Sequence, residues 1–542
     1  MSGRLLKSTA VFSAMTFLSR ISGLVRDQVY AQVFGASAAM DAFVVAFRIP
    51  NFMRRLSAEG SFSMAFVPVL AEYRSRGDHA AVKALVDRVA GALSAAMLVV
   101  TGLAILLAPW LMRVIAPGFA PDGDQARLAT LMLQITFPYA LFISLASLVG
   151  GVLNSYQRFA VPALSPILLN LSLIAAALCL APQMQAWGQE PVLALAWGVL
   201  VAGVLQLLFQ LPSLARLGLL PRPRLDFAHA GVRRIMTLMV PTLFGSSVAQ
   251  VNLLFNTLAA SMLMGGSVTW LYYSDRLLEF PLGMFGVAIG TVILPHLSSR
   301  HAEADPAGYS KGLDWGFRLC LLIGVPACLG LVLCAQPLLA TLFQYGRFSE
   351  QDMRMSSLSL MAQSLAVPAF LLVKVLAPAF YSRQDTRTPV KAALGSIAVN
   401  IVCTLGLFVA LLWFSPLGQA ALAQAQGDWR LALKQVEGAH ALLALSVAVA
   451  GWANALQLGW YLWRARVYRR QPGWGRFLRQ LLVASALMVL VLLALRLLWA
   501  DWTQWQWWQR GWRLALLVGG GGAIYAGGLL LMGYRPRELR GQ

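Results

Sequence analysis

The sequence predicts an all-α polytopic membrane protein with about fourteen transmembrane helices. Hydrophobic residues make up 58% of its 542 residues and charged residues only 12%, which is more apolar surface than a soluble domain buries. The mean hydropathy is +0.67. Apolar runs of roughly 20 residues recur along the whole chain, and a helix of that length crosses a bilayer. We place the spans at residues 8–33, 40–71, 89–112, 128–154, 162–181, 191–214, 235–261, 268–297, 316–343, 355–381, 391–414, 438–462, 478–500 and 513–533.

A weak internal duplication predicts how these helices are grouped. Shifting the chain against itself by about 228 residues aligns Arg48 with Arg276, and Pro68 comes close to Pro295. Because this offset spans an even number of helices, both copies share one membrane orientation, as in transporters with parallel repeats. We therefore predict two pseudo-symmetric six-helix lobes and two further helices. The predicted bounds are 1–220 for the N-terminal lobe, 221–470 for the C-terminal lobe, and 471–542 for two additional transmembrane helices with a cytoplasmic tail.

The basic residues outside the spans predict the orientation. About 26 lysines and arginines fall in the termini and even-numbered loops, against about eight in the odd-numbered loops. Because cytoplasmic loops carry such an excess, we expect a multi-pass protein of the bacterial inner membrane with both termini in the cytoplasm. The N-terminus runs directly into the first span without the small-residue cleavage site of a removable signal peptide, so we expect this span to remain in the mature protein. The net charge of +21 then reflects topology, and no nucleic-acid partner is expected.

Charged residues within the spans are the strongest functional signal. A charge at the bilayer centre costs about 2.5–3.5 kcal/mol on insertion scales, so such residues normally face a wet cavity or a partner. The deep basic residues are Arg20, Arg26, Arg48, Arg54, Arg55, Arg276 and Lys374, and the acidic ones are Asp27, Asp41, Glu59, Asp275 and Glu279. Seven bases against five acids leave a positive excess, which predicts a cavity for an anionic cargo. Alternatively, these residues form internal salt bridges that only orient the helices, an interpretation we favour for Asp27, Asp41 and Arg55.

Helix-breaking residues occur in two of the charged spans. Pro50, Gly60 and Pro68 interrupt the second span, and the segment EFPLGMFG interrupts the eighth. Irregular backbone at membrane depth is tolerated beside a cavity or within protein, so these segments also indicate the site.

Two stretches carry a resemblance to a known family. RISGLVRDQVYAQVFGASAAMDAFVVAFRIPNFMRRLSAEGSFSMAFVPVLAEY, residues 20–73, closely resembles the MurJ/MviN family, lipid II flippases of the MOP exporter superfamily. YSDRLLEFPLGMFGVAIGTVILP supports the resemblance. It implies a role in peptidoglycan biosynthesis and cell shape: two lobes alternate access to carry lipid II from the cytoplasmic to the periplasmic leaflet.

The resemblance also implies site residues in a cationic central cavity. The positions that match head-group-binding bases are Arg20, Arg26, Arg54 and Arg276, with Arg48 where the family often has lysine; Lys374 joins them by depth. The matching acids, for gating or ion pairs, are Asp41, Glu59, Asp275 and Glu279. The last two helices are expected to form a groove for the polyprenyl tail.

Ion coupling and partners follow from the same resemblance. Some relatives hold sodium on spans seven, eleven and twelve, where this chain offers Asn252, Asn256, Asn400 and Thr404 without a carboxylate. Membrane potential acting on the charged cavity is therefore the simpler hypothesis. We expect no cofactor and no metal, and a monomer whose partners are lipid II, membrane lipids and the cell-wall synthesis machinery.

Three alternatives are weaker. A flippase for another polyprenyl-linked oligosaccharide, or another MOP-type exporter, would share the architecture, but an exporter of organic cations needs an acidic or aromatic cavity. A membrane enzyme needs clustered carboxylates or a nucleophile with a base, and the five histidines are scattered singly. A channel would need repeated filter elements. We therefore expect a transporter without enzymatic activity.

Overall fold

The computed structural model describes residues 3–55, 61–121 and 123–534, and throughout these residues the secondary structure is helical, without a β-strand. The α-helices are α1 (Gly3–Phe34), α2 (Ala38–Arg54), α3 (Ser61–Ser75), α4 (His79–Leu106), α5 (Ala108–Ile115), α6 (Asp124–Thr136), α7 (Tyr139–Ser155), α8 (Ala160–Ala175), α9 (Ala181–Ala186), α10 (Leu193–Ala215), α11 (Ala230–Ser261), α12 (Ser267–Pro281), α13 (Val287–Ala302), α14 (Pro306–Leu342), α15 (Glu350–Ser364), α16 (Val367–Tyr381), α17 (Arg387–Phe414), α18 (Pro416–Gln424), α19 (Trp429–Gln435), α20 (Ala439–Arg464), α21 (Trp474–Leu498) and α22 (Trp507–Leu531). Two π-helical segments, Ala176–Leu180 and Leu282–Gly286, join α8 to α9 and α12 to α13.

Many of these helices are long and apolar enough to cross a membrane. Among the described residues there are 10 such segments, or 11 when α15 and α16, which meet at an angle of 41°, count as one span. The three remaining predicted spans correspond to α1, to α2 with α3, and to α11, which are helical but fall outside that set. The predicted class, an all-α polytopic membrane protein, is confirmed. The count of fourteen spans stays a prediction, with which the helices agree.

The chain divides by its internal contacts into two units, Met1–Thr269 and Trp270–Gln542. In unit 1, α3, α4, α7 and α10 enclose an apolar core that includes Phe66, Leu85 and Val152. Helix α11 packs on α3, α4 and α5, so the contact boundary follows α11. The predicted lobe bounds at 220 and 470 come from a sequence repeat and not from contacts between residues. The contact boundary therefore does not test them, and they stay a prediction.

In unit 2, α14 and α16 pack against each other and share a core with α13 and α20. Helices α21 and α22 pair with each other and lie against α14. Their contact with α14 is apolar, through Leu322, Phe477 and Leu481, and the Tyr525 hydroxyl donates to the Leu322 carbonyl over 2.7 Å. The last two helices are thus packed into unit 2.

Each unit contains a buried aspartate that holds a linker: the one after the sixth predicted span in unit 1, and the one after the twelfth in unit 2. In unit 1, Asp87 accepts hydrogen bonds from Lys83 and from the backbone N–H of Arg222, over 2.7 Å for the latter. In unit 2, Asp314 accepts from the Tyr468 hydroxyl at 2.7 Å. We call residues 216–229 and 465–473 the linkers of units 1 and 2. The two aspartates are 227 residues apart (314 − 87), close to the repeat offset.

Candidate functional site

Two of the three deep charges of α1, Arg26 and Asp27, are held inside unit 1. Arg26 donates to Asp27 Oδ1 through Nε at 2.9 Å and Nη2 at 2.6 Å, and both side chains are buried. Its Nη1 donates to Asn170 Oδ1 on α8 at 2.9 Å, and its guanidinium lies 5.5 Å from the ring centre of Tyr30. Charge-assisted bonds of this kind fix both partners. Arg26 therefore joins α1 to α8.

Asp41 forms a cap for a helix far away in the sequence. It is 2% exposed and accepts from the backbone N–H of Gly266 at 2.6 Å, and from the N–H and hydroxyl of Thr269 at 2.8 and 2.6 Å. These donors lie at the start of α12, where backbone N–H groups lack partners within the helix. A carboxylate is also favoured there by the helix dipole. The contacts support the interpretation of Asp41 as an orienting residue.

Arg48 joins α2 to α11. Its Nη1 donates to the hydroxyl of Thr257 and, at 3.4 Å, to the carbonyl of Leu253. Thr257 itself donates to the same carbonyl at 2.7 Å. The side chain of Arg48 remains partly exposed, so its guanidinium serves the packing of unit 1 and still reaches its surface.

Three more charged positions of unit 1 lie nearer its surface. Arg20 is exposed, and Arg54 and Arg55 are partly exposed. Arg54 Nε donates to Asn51 Oδ1 at 2.9 Å, one helical turn earlier. Glu59, one of the four acids of the predicted site, lies outside the described residues.

In unit 2, the charges of α12 are paired but accessible. Arg276 Nη1 lies 3.1 Å from Glu279 Oε2, and the side chains are 35% and 57% exposed. The guanidinium also lies 4.9 Å from the ring centre of Tyr272. Asp275 accepts from Gln363 Nε2 on α15 at 2.6 Å. An ion pair this exposed contributes little to stability and can be exchanged for another anion.

The predicted irregularity in the eighth span is present as a π-helical segment within a continuous helical span, Ser267–Ala302. Helix α12 ends at Pro281, and the π-helical segment Leu282–Gly286 connects it to α13. Such wide turns are frequent at functional sites because they re-aim backbone and side chains. The exposed Lys374 of α16 lies beside this turn, since a Cβ on Gly286 would meet Lys374 Cγ at 3.5 Å.

The polar residues considered for an ion site are divided between the units. Asn400 and Thr404 are buried in unit 2, where Ser446 donates to Asn400 Oδ1 at 2.9 Å and lies 2.7 Å from the Thr404 hydroxyl. Asn252 and Asn256 are partly buried on α11 of unit 1. The described residues contain no group of three or more His, Cys, Asp or Glu side chains that could hold a metal ion.

Sequence reasoning found the charged residues but missed their neutral partners. Thr257 and Gln363 carry no local signal, because what selects them is the packing of α11 and α15. Asn170 does have one, since it aligns with Asn400 at nearly the same repeat offset.

Long apolar helices define a polytopic membrane protein, and solved structures of membrane transporters share the fold. An inward closed lipid II flippase MurJ matches with a TM-score of 0.75 and 23% identity, over 96% of this chain and 98% of that one. An inward-facing multidrug resistance MATE family transporter of the MOP superfamily matches with a TM-score of 0.61 and 15% identity, over 84% and 98%.

Sequence comparison identifies the family. The family model described as "Lipid II flippase MurJ" matches residues 30–507. A "Probable lipid II flippase MurJ" of Vibrio cholerae is 42% identical over 99% of this chain and 98% of its own, and the "Lipid II flippase MurJ" of Burkholderia cenocepacia is 43% identical over 89% of each. The chain belongs to the MurJ lipid II flippase family. The predicted family, and with it the class of transporter rather than enzyme, is confirmed.

Proposed function

We propose that this protein flips lipid II from the cytoplasmic to the periplasmic leaflet by alternating access. The observation that carries the proposal is family membership over residues 30–507, which includes nine of the twelve deep charges; Arg20, Arg26 and Asp27 precede that match. In lipid II a pyrophosphate links the polyprenyl tail to the disaccharide-pentapeptide, and a planar guanidinium binds such oxyanions bidentately. Six of the seven deep basic residues are arginines, which suits this cargo.

The proposed head-group site is a cationic central cavity, and its basic residues have two roles. Arg20, Arg54, Arg276 and Lys374 are at least partly exposed, and we assign them direct contact with the phosphates. We assign Arg26 and Arg48 mainly to positioning, because their bonds to Asn170 and Thr257 tie helices together. The full proposed head-group set is therefore Arg20, Arg26, Arg48, Arg54, Arg276 and Lys374.

The acids are proposed to orient the arginines and the helices. Glu279 pairs with Arg276 in an accessible ion pair, which a phosphate would replace. Asp275 is tied to α15 through Gln363, and Asp41 to the start of α12. Glu59 belongs to this set by its match to the family motif.

The setting of the protein is part of the same proposal. We place it as a monomer in the bacterial inner membrane with both termini in the cytoplasm, because the basic loops favour that orientation. The membrane potential, acting on the charged cavity, supplies the energy for transport. The face of α21 and α22 receives the polyprenyl tail. The cell-wall synthesis machinery is the proposed downstream partner.

The experiment that tests the function is depletion of the native flippase in a bacterial host, complementation with this chain, and an assay of lipid II in each leaflet. We expect complementation, with lipid II reaching the periplasmic leaflet. Lipid II retained in the cytoplasmic leaflet, with another polyprenyl-linked oligosaccharide or a drug transported instead, would overturn it.

The site assignment has a separate test in the same cells. Arg276→Ala should abolish complementation, and Arg276→Lys should retain part of it because the charge stays while the bidentate fork is lost. Arg430→Ala, at an exposed position on α19, is the matched control. Full complementation by Arg276→Ala at equal protein level would contradict the assignment.

A further inference from the structure

A basic cavity of about 660 Å³ lies in unit 2, lined by residues other than the charges described above. Three chain segments form it: the turn between α13 and α14, the residues that follow α16, and the linker of unit 2. Its ionised side chains are Arg300, Lys311, Arg383, Arg466, Arg469 and Asp305. Five positive charges and one negative charge leave a net +4 around a single concave surface.

The three segments occupy one end of the helices. Each lies in an even-numbered loop between predicted spans, and these loops are cytoplasmic in the predicted topology. The cavity therefore lies where cytoplasmic helix ends meet lipid head groups, and basic pockets between helices on that side suit phosphate head groups.

The cavity wall formed by the linker is held in place. The backbone N–H of Arg469 donates to Ser310 Oγ at 2.8 Å, and Ser310 Oγ donates back to the Arg469 carbonyl at 3.0 Å. Asp314 accepts from the Tyr468 hydroxyl and from Trp474 Nε1, both at 2.7 Å. The two bonds to Ser310 involve the backbone of Arg469 and not its guanidinium, so this cation projects from a fixed main chain.

Two carboxylates offset charge at Arg300: Asp305, which lines the cavity, and Glu303, whose Oε2 lies 3.2 Å from Arg300 Nη1. Asp305 lies 3.4 Å from Arg300 Nη1 and also caps α14, accepting from the Gly308 N–H at 2.8 Å. Its charge is thus shared between one guanidinium and a helix end. The other four cations come from three separate segments, and bringing like charges together is unfavourable unless an anion joins them.

We propose that this cavity binds the phosphate groups of an anionic ligand, supplied by a membrane phospholipid or by a soluble pyrophosphate compound. This binding is distinct from transport of the cargo, because it uses residues that the proposed head-group site does not. Arginines on two sides of the cavity would hold phosphate oxygens bidentately, with Lys311 as a further point charge.

The test uses the purified full-length protein and two probes. One is inorganic pyrophosphate with protein in detergent. The other is reconstitution into phosphatidylcholine nanodiscs with or without phosphatidylglycerol. Thermal unfolding is followed for the parent and for a variant with Arg383→Gln, Arg466→Gln and Arg469→Gln. The matched control carries Arg216→Gln, Arg222→Gln and Arg224→Gln, three exposed arginines on the linker of unit 1.

We expect at least one probe to raise the unfolding midpoint of the parent and the control saturably, with at least about tenfold weaker binding to the cavity variant. A response to phosphatidylglycerol alone assigns the ligand to the membrane, and a response to pyrophosphate alone assigns it to the cytosol; both support the cavity. Equal responses in all three proteins, or none in any, would overturn the proposal.

A second pair of variants keeps the test decisive if the triple variant does not fold. Arg383→Gln alone removes one exposed cation that follows α16 and leaves the linker bonds intact. Arg383→Lys retains the charge. Weaker probe binding by Arg383→Gln than by Arg383→Lys supports the cavity, and indistinguishable binding by both and the parent counts against it.

Discussion

Replacing Asp314 with alanine should release the linker of unit 2. The Asp314 carboxylate is 3% exposed and accepts from Tyr468, from Trp474 and, at 3.3 Å, from the backbone N–H of Gln471. It also forms an ion pair with Arg318 Nε at 2.8 Å. Alanine would leave three donors and a guanidinium without this acceptor.

The free-energy cost of this substitution can be estimated from the groups that lose the Asp314 carboxylate. A buried donor left without a partner costs about 1–3 kcal/mol, and breaking a buried ion pair about 3–5 kcal/mol. Water reduces this cost, because the Arg318 side chain is 24% exposed. Arg318 also keeps its bond to the Pro472 carbonyl at 2.8 Å. We therefore expect the linker to open more easily by about 3 kcal/mol, which multiplies the open population roughly 150-fold.

Limited trypsin digestion of the purified protein measures this opening, since the linker and the end of α20 contain four arginines, at positions 464, 466, 469 and 470. Cleavage tracks the open population when reclosing is fast. Asp314→Asn, which keeps an acceptor oxygen, should accelerate cleavage about tenfold, and Asp501→Ala, at an exposed aspartate, should change it little. If Asp314→Ala is cleaved no faster than the parent, the linker is held by something else.

Three further predictions concern other parts of the chain. Gly91→Ala should lower the thermal midpoint, because its Cβ would lie 2.1 Å from the Arg224 carbonyl oxygen, whereas Gly102→Ala, with nothing within 4 Å, should be neutral; equal midpoints would refute this. Arg510→Gln should cost about 2–3 kcal/mol, because the buried guanidinium donates to four backbone carbonyls, and unchanged unfolding would contradict it. The hydrogen bond from Arg88 lowers the pKa of Asp226 below its usual 3.8, so its stabilisation is present above that pH and is lost on acidification through the lowered pKa. The midpoint difference between the parent and Asp226→Asn should therefore shrink as the pH falls, and a constant difference would exclude this linkage.

Local features of the sequence were sufficient for the class, and they also supplied the charged positions of the candidate site, which stays a prediction. The length of an apolar run and the placement of charges within it depend on neighbouring residues, and the bilayer penalises every exception. That is why the helical, multi-pass class and the charged positions of α1, α2 and α12 could be predicted. The irregular turn after Pro281 was predictable in part, because a proline in a helix interior removes a hydrogen bond. Proline alone does not decide the outcome, since α2 continues through Pro50 and α3 through Pro68, which were expected to interrupt the second span.

Only the tertiary structure decided which partner each charge has. Arg26 and Arg276 look alike in the sequence, yet Arg26 is buried against Asp27 and Asn170, and Arg276 stays accessible beside Glu279. The difference arises from the packing of α1 on α8, a contact between residues more than a hundred positions apart. Sequence alone thus determined the helical, multi-pass class and predicted which helices carry charged residues. Packing over long sequence distances determined which of them hold helices together and which remain exposed.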